Sequence, residues 1–233
     1  MRFISVSVLL IGVSAAFPVL AACPAPGQYD AVDLSGPVDQ TFLDKMATLG
    51  VDTIVRYYDH VNETIRGKTL TLRERRLIAK NGFKQVVVFQ HNSRSITSFT
   101  WARGVKDANR SLELAKTMNQ PMRSAIYLGV DGPWSGSQDL LKVREYFRAA
   151  APLIRDAGYK IGAYGSGRVC ELLLDAGDVD YCWLANATSW PGYDRFLASN
   201  RWTMKQFTPR TCGGREVDFN VINSGMREIG QFE

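Results

Sequence analysis

The chain has little of the chemistry on which metal centres and serine hydrolases depend. It contains only two histidines, His60 and His91, and no His-Glu-x-x-His motif, so the sequence does not predict a zinc site. Gly165-Ser166-Gly167 is not a complete Gly-x-Ser-x-Gly motif and no histidine is placed to serve it, which argues against a serine hydrolase. No Gly-x-Gly-x-x-Gly follows the first candidate strand, which weakens a nucleotide-binding fold. We therefore expect no metal and no organic cofactor.

Long apolar runs are absent after residue 22. Before it, Arg2 is followed by a nearly all apolar or small segment, 4–20, that ends in Leu20-Ala21-Ala22-Cys23. This pattern is typical of a secretory signal peptide and not of a membrane span. We therefore predict a cleaved signal peptide over 1–22 and one mature domain over 23–233, which is exported to the periplasm or secreted.

The chain has four cysteines, an even number that in an exported protein predicts two disulfides. Three pairings are possible, and we favour Cys23–Cys212 with Cys170–Cys182. Leu20-Ala21-Ala22-Cys23 also resembles a bacterial lipobox. In that alternative Cys23 would carry a lipid that anchors the protein to the outer membrane, and one of the three other thiols would stay unpaired.

Charge of one sign is not concentrated anywhere along the chain. The formal net charge is +5, and the densest basic group, on one predicted helix, is Arg73, Arg75, Arg76 and Lys80. Such a group is usually a solvated helix face. Because the protein is predicted to be exported, this modest charge does not predict a nucleic acid partner. We also expect a monomer.

Strand and helix patterns alternate through the mature chain. Alternation of this kind predicts a parallel sheet, and about eight strands in this length predict an α/β, TIM-type (β/α) barrel with shortened or missing helices in the last units. A doubly wound open sheet is the competing fold. The predicted strands are 29–34, 52–58, 84–90, 124–131, 159–164, 181–185, 202–207 and 215–219, and the predicted long helices are 39–49, 71–82, 100–118 and 137–151, the last ending at Pro152.

Polar and aromatic residues follow almost every predicted strand. In a barrel the carboxyl ends of the strands share one mouth, where carboxyl groups can carry out acid and base chemistry on a glycosidic bond and aromatic rings and amides can bind sugars. The predicted catalytic residues are Asp33, Asp131 and Asp218, and the predicted substrate-binding residues are Arg56, Tyr57, Gln90, Tyr164, Trp183 and Gln206. The alternative interpretation is structural: Arg56 neutralises Asp33 or Asp131, and Trp183 belongs to the core.

Six short motifs follow one another over roughly 26–225: Tyr29-Asp-Ala-Val-Asp33, Val55-Arg-Tyr-Tyr58, Lys68-Thr-Leu-Thr71 with Glu74, Ile126-Tyr-Leu-Gly-Val-Asp131, Gly162-Ala-Tyr-Gly165 with Val169-Cys170, and Trp183-Leu-Ala185. Together they resemble the bacterial glycoside-hydrolase-like TIM-barrel domain family, which is in turn similar to the glycoside hydrolase family 25 lysozymes. The resemblance implies an exported protein that acts on peptidoglycan or a related cell-envelope glycan by acid/base hydrolysis. The alternative is a catalytically impaired glycan-binding envelope protein with the same barrel mouth.

The match to the lysozyme motifs is incomplete. Asp33 matches the acid that ends their first strand, and Gln206 with 217–220 matches their closing Gln…Val-Asp-x-Asn pattern. Their fourth strand ends in Asp-x-Glu, whereas here either Gly129 replaces the Asp and Asp131 the Glu, or Pro133 replaces the Glu. One carboxylate is missing in both alignments. The resemblance then implies Asp131 as the acid, with Asp33 and Asp218 as base or electrostatic support and with Tyr164 and Gln206 orienting the sugar.

Overall fold

The computed structural model describes residues 22–226 and 228–233, so almost all of the predicted signal peptide lies outside the described residues. The strands are β1 (Ala31–Asp33), β2 (Thr53–Tyr58), β3 (Lys84–Phe89), β4 (Ala125–Gly129), β5 (Lys160–Gly165), β6 (Tyr181–Leu184), β7 (Met204–Gln206), β8 (Arg210–Cys212) and β9 (Arg215–Ile222). The helices are α1 (Gln40–Thr48), α2 (Leu72–Lys80), α3 (Trp101–Thr117), α4 (Ser137–Asp156), α5 (Gly167–Asp175) and α6 (Tyr193–Ala198).

Eight strands close into a barrel. β1 to β7 pair in parallel with their neighbours in chain order, and β9 pairs with both β7 and β1. β8 pairs with β9 outside this ring. The prediction of a TIM-type barrel with shortened or missing helices in the last units is therefore confirmed, since α6 is short and no helix lies between β7 and β9.

The closing strand differs from the prediction in its direction. β9 runs antiparallel to both β7 and β1. Only residues 207–214 separate it from β7, and a parallel crossover needs about a dozen residues or more, so the chain turns back instead. Asp218 therefore reaches the mouth from the first half of β9 and not from a carboxyl end.

Side chains alternate between the barrel interior and the layer under the helices. On β3, for example, Val86 and Val88 pack in the interior, whereas Val87 and Phe89 pack against the helical layer. The interior is crowded: a Cβ on Gly162 would lie 2.4 Å from the Tyr127 ring, so only glycine fits there. This filled interior leaves the mouth as the place for a ligand.

Side chains cap most of the long helices at their starts. Asp39, Thr71, Thr100 and Ser166 each accept a hydrogen bond from a backbone N–H in the first turn of α1, α2, α3 and α5. The prediction that α4 ends at Pro152 is wrong, since the helix continues to Asp156. Pro152 is exposed, so water can hydrate the carbonyl that loses its helical partner.

All four cysteines are paired, as Cys23–Cys212 and Cys170–Cys182. The favoured pairing is confirmed. It also corrects the lipobox alternative, because the Cys23 sulfur is bonded to Cys212 and cannot carry a lipid.

Among residues 22–226 and 228–233, no helix combines the length and the apolar character needed to cross a membrane.

A buried ion pair ties the loops of the mouth to the barrel. The Arg56 guanidinium on β2 donates to the Glu74 carboxylate of α2 at 2.6 Å, and to the carbonyls of Leu34 at 2.5 Å and Lys68 at 3.2 Å. Glu74 also accepts from the Val38 N–H at 2.9 Å. Its carboxylate is therefore engaged with Arg56 and Val38, and at the start of α2 only Thr71 acts as a side-chain cap.

We expect Glu74→Ala to lower the free energy of unfolding by about 3–5 kcal/mol, because it leaves the buried Arg56 charge without a partner. Urea denaturation measures this change. Glu113→Ala is the matched control, since it removes an exposed carboxylate that pairs with Arg110, and it should cost less than about 1 kcal/mol. Equal losses for the two variants would contradict a structural role for the buried pair.

Candidate functional site

A cavity of about 350 Å³ opens at the mouth of the barrel. It lies at the carboxyl ends of the parallel strands, where TIM barrels place their ligands. Seven of the nine residues predicted from the sequence line it: Tyr57, Gln90, Asp131, Tyr164, Trp183, Gln206 and Asp218. The other two, Asp33 and Arg56, lie outside the lining.

Asp33 is fully buried beneath the cavity floor. Its carboxylate accepts hydrogen bonds from the Tyr57 hydroxyl at 2.9 Å, from Gln206 Nε2 at 3.1 Å and from Asn220 Nδ2 at 2.8 Å. Burial raises the pKa of Asp33 from 3.8 to about 6, although these three donors oppose the rise. Asp33 therefore holds three side chains of the site in place and does not itself reach the open cavity.

A second set of contacts fixes the floor around Asp33. The Tyr164 hydroxyl donates to Gln206 Oε1 at 2.9 Å, and Trp183 Nε1 donates to Asn220 Oδ1 at 2.8 Å. The Tyr164 and Trp183 rings meet edge to face with centroids 4.7 Å apart. Each amide thus has one defined orientation, since its nitrogen faces the carboxylate and its oxygen faces a donor.

Asp218 lies directly opposite Asp33 in the β1–β9 pair, which places the two Cβ atoms about 5 Å apart. Its carboxyl group has no hydrogen-bond donor among the residues that the structure describes. Burial raises its pKa from 3.8 to about 8, and the negative charges of Asp33, Glu216 and Asp131 add to the rise. Because Asp33 has three donors and Asp218 has none, the proton that this pair holds at neutral pH resides on Asp218.

Asp131 occupies another part of the cavity wall. Its Oδ2 accepts from Arg94 Nε at 2.7 Å and from Gln90 Nε2 at 3.4 Å. Its backbone N–H donates to the Ser93 carbonyl at 3.1 Å, which joins the loops that follow β3 and β4. The Arg94 guanidinium makes an ion pair with this carboxylate, so Asp131 and Asp218 stand in opposite electrostatic environments.

The side chain of Gln90 fills the space beside Gly129. A Cβ on Gly129 would lie 3.0 Å from Gln90 Cγ, so a larger residue could not enter unless Gln90 moved. Gln90 is itself held by Lys68, whose Nζ donates to its carbonyl oxygen at 2.9 Å and to its Oε1 at 3.0 Å. Lys68 Nζ also lies 4.7 Å from the centre of the Tyr57 ring.

Arg56 does not belong to the cavity. Its side chain is buried against Glu74, Leu34 and Lys68 on the outer face of β2, because neighbouring residues of a strand point to opposite faces and Tyr57 takes the inner one. The substrate-binding role predicted for Arg56 is therefore corrected to a structural one. The cations of the cavity are Lys68 and Arg94.

The residues of the site that the sequence did not predict include Lys68, Arg94, Glu216 and Asn220. Lys68 and Arg94 come from loops, which carry no periodic signal. Glu216 and Asn220 lie two residues on either side of Asp218, so the period of a strand places all three on one face and could have found them. Among the residues that the structure describes, no group of three or more His, Cys, Asp or Glu side chains is arranged to hold a metal ion.

Comparison with known proteins gives a family and two relatives. A family model described as Rv2525c-like, glycoside hydrolase-like domain matches residues 44–222. The proposed peptidoglycan hydrolase Rv2525c of Mycobacterium tuberculosis is 27% identical over 158 residues, which are 67% of this chain and 64% of that protein. The uncharacterized protein YbfG of Bacillus subtilis is 25% identical over 157 residues, 64% of this chain and 21% of YbfG. The chain thus spans less than two thirds of either relative.

Several crystal structures share the fold. The Tat-secreted protein Rv2525c of M. tuberculosis, in complex with HEPES, superposes with a TM-score of 0.73 at 23% identity, over 87% of this chain and 98% of that one. The autolysin LytC of Streptococcus pneumoniae, in complex with a synthetic peptidoglycan ligand, gives 0.53 at 16% identity, over 82% and 46% of the two chains. The catalytic domain of endolysin ply40, from a bacteriophage of Listeria monocytogenes, gives 0.53 at 15%, over 86% and 96%.

The family predicted from the motifs is therefore the family that the comparison finds. The match of the family model extends from α1 to β9 and includes seven of the eight strands of the barrel. The chain belongs to the Rv2525c-like, glycoside hydrolase-like family.

Proposed function

We propose that the protein hydrolyses a glycosidic bond in peptidoglycan or a related cell-envelope glycan. One observation carries the proposal: the cavity presents two carboxyl groups in opposite electrostatic environments. Burial raises the pKa of Asp218 to about 8, whereas Asp131 is paired with the Arg94 cation. Two carboxyl groups in contrasting environments are what acid/base hydrolysis of a glycoside requires.

In the proposed reaction Asp218 donates its proton to the glycosidic oxygen as the bond from that oxygen to the anomeric carbon breaks. Water adds its oxygen to the anomeric carbon, and Asp131 takes the proton that the water releases. Asp33 stays behind Asp218 as a positioning residue, since its negative charge helps to keep the proton on Asp218.

This assignment exchanges the roles inferred from the resemblance, in which Asp131 is the acid. The reason is electrostatic. A neighbouring cation favours the charged form of a carboxyl group, which has no proton to donate, whereas burial beside other carboxylates favours the protonated form, which has one. The proposed sugar-binding residues are those predicted residues that line the cavity: Tyr57, Gln90, Tyr164, Trp183 and Gln206.

The relatives support the choice of glycan. Rv2525c is described as a proposed peptidoglycan hydrolase, and the LytC structure contains a synthetic peptidoglycan ligand. The cavity is suited to a polar ligand, since hydroxyl, amide and charged groups dominate its lining. The similarity to these proteins supports a peptidoglycan-type substrate by analogy. The polar lining of the cavity supports a glycan in general.

We also propose that the protein is exported and acts as a monomer. Pairing of all four cysteines supports an oxidising compartment. The sequence of residues 1–22 resembles a signal peptide, and Rv2525c is described as Tat-secreted.

Substitution of the two cavity acids tests the proposed reaction. Mature wild-type protein should release new reducing ends from purified peptidoglycan, and Asp218→Asn and Asp131→Asn should each lower the rate by about 10²–10⁴. Product analysis by chromatography measures this. Asp156→Asn, an exposed acid at the far end of α4, is the matched control and should keep full activity.

The outcomes separate three hypotheses. If Asp131→Asn abolishes the products and Asp218→Asn does not, the roles inferred from the resemblance hold and our assignment is wrong. If neither wild type nor any variant releases products while peptidoglycan is still bound, the protein is a glycan-binding module. The single carboxylate at the end of the fourth strand, Asp131, would then be the physical reason.

The pH dependence of the rate tests the proton on Asp218. Since the acid must be protonated, the rate should fall as pH rises through about 8. Asp33→Asn removes a negative charge opposite Asp218, so it should move this alkaline limb to lower pH. A purely structural role for Asp33 would lower the rate at every pH and leave the limb where it is.

The same proton can be measured without activity. The pKa of Asp218 is raised from 3.8 to about 8 on folding, so the folded state binds this proton more tightly than the unfolded state. Its contribution to the free energy of unfolding is complete below about pH 4 and is lost as pH rises through about 8. Urea denaturation across this range should show the loss in wild type and a smaller loss in Asp218→Asn; equal losses would contradict the assignment.

A further inference from the structure

A second cavity, of about 290 Å³, adjoins the first. Both cavities are lined by Ile65, Lys68, Gln90, Arg94 and Asp131. The second one extends beyond them over the loops that follow β2 and β3, where Thr64, Asn92 and Ser93 complete its wall. The two cavities therefore form one groove, and Asp131 lies where they meet.

Charge is distributed unequally along this groove. The wall of the second cavity contains two cations, Lys68 and Arg94, and one carboxylate, Asp131. The first cavity has the same three groups, and its wall continues to Glu216 and Asp218. A negatively charged ligand group is therefore attracted toward the second cavity and repelled from the end where Glu216 lies.

The second cavity also offers hydrogen-bond donors. Arg94 uses its Nε on Asp131, and within residues 22–226 and 228–233 its two terminal nitrogens have no hydrogen-bond partner. Its side chain is 86% exposed, so both nitrogens are open to a ligand. The side-chain amide of Asn92 likewise has no partner in the described part of the chain and is exposed. A planar guanidinium with open nitrogens matches the geometry of a carboxylate.

Lys68 adds a positive charge that water screens poorly. Nearly all of its side chain is buried, and its ammonium is held by the two oxygens of Gln90. It cannot turn away toward solvent as a surface lysine does. The field of this fixed charge acts on any group bound beside it, and a low-dielectric wall strengthens the effect.

We infer that the second cavity binds a carboxylate carried by the glycan, either on a uronic acid ring or on a peptide attached to the sugar. The inference rests on the proposed glycan-binding function of the mouth and adds the substrate class to it. The carboxylate pairs with Arg94 beside Lys68, and Ile65 packs against the adjoining sugar. This contact orients the chain of sugars along the groove, with its acidic residue on the Asn92 side of Asp131.

Calorimetric titration of the mature wild-type protein at low salt tests the inference. Three probes are compared: chitotetraose, which is neutral, a tetrasaccharide of alternating N-acetylglucosamine and glucuronate, and muramyl dipeptide. At least one acidic probe should bind about 10-fold more tightly than chitotetraose, and the preference should weaken as salt is added. Tighter binding of the uronate indicates a carboxylate on the ring, and tighter binding of the muramyl peptide indicates one on the peptide.

The chain offers a matched pair of charge variants. Asn92 and Asn119 are both exposed and both adopt the left-handed backbone conformation, with φ of 52°, which Asp also tolerates. Asn92→Asp adds a negative charge to the second cavity, whereas Asn119→Asp adds it after α3, at the opposite end of the barrel. Asn92→Asp should weaken the acidic probe about 3- to 10-fold more than it weakens chitotetraose, and Asn119→Asp should change neither.

Acidic probes that bind no more tightly than chitotetraose would overturn the inference. Equal effects of the two Asp variants, or equal weakening of acidic and neutral probes by Asn92→Asp, would also overturn it. Failure of the proposed hydrolysis gives a different result: no new reducing ends from peptidoglycan, with the preference for acidic probes intact. The two failures are therefore distinguishable in the same preparations.

Discussion

Burial of the Asp33 carboxylate at the end of β1 is the constraint on which the rest of the mouth depends. A charge removed from water is costly unless donors surround it, and here Tyr57, Gln206 and Asn220 all donate to it. Those three donors come from β2, β7 and β9, so satisfying one carboxylate fixes the relative positions of strands far apart in the sequence. Tyr164 and Trp183 are then fixed in turn by the amide oxygens that remain.

The antiparallel closing strand makes this arrangement possible. β9 enters the barrel at the mouth, so three successive inward positions, Glu216, Asp218 and Asn220, run from the rim to the floor. A parallel strand would bring only its last residues there. The Cys23–Cys212 disulfide joins the β8–β9 hairpin to the start of the described chain, which secures the strand that supplies half of the Asp33–Asp218 pair.

The barrel and most of its mouth could be predicted from the sequence because both follow from periodicity. The carboxyl ends of parallel strands lie at one end of the barrel, so the residues that follow the strands can be predicted to form one site. Arg56 was misassigned because it adjoins Tyr57, and only one of two adjacent strand residues can face inward. Lys68 and Arg94 could not be predicted, since their positions depend on loop conformations and on contacts with Gln90 and Asp131. The proton on Asp218 depends on its desolvation, which no local pattern encodes.

The glycine at position 129, at the end of the fourth strand, explains how the charges of this site are organised. Because residue 129 is glycine, the side chain of Gln90 occupies the space beside it. Gln90 Oε1 accepts a hydrogen bond from Lys68 Nζ, which holds the Lys68 cation at the cavity. A second carboxylate beside Asp131 would raise the pKa of one of the two and make it a proton donor. Asp131 pairs with Arg94, whereas Asp218 is desolvated beside the buried carboxylate of Asp33. The carboxyl group with the raised pKa therefore lies on the closing strand, and the cationic side of the groove is open to an acidic ligand.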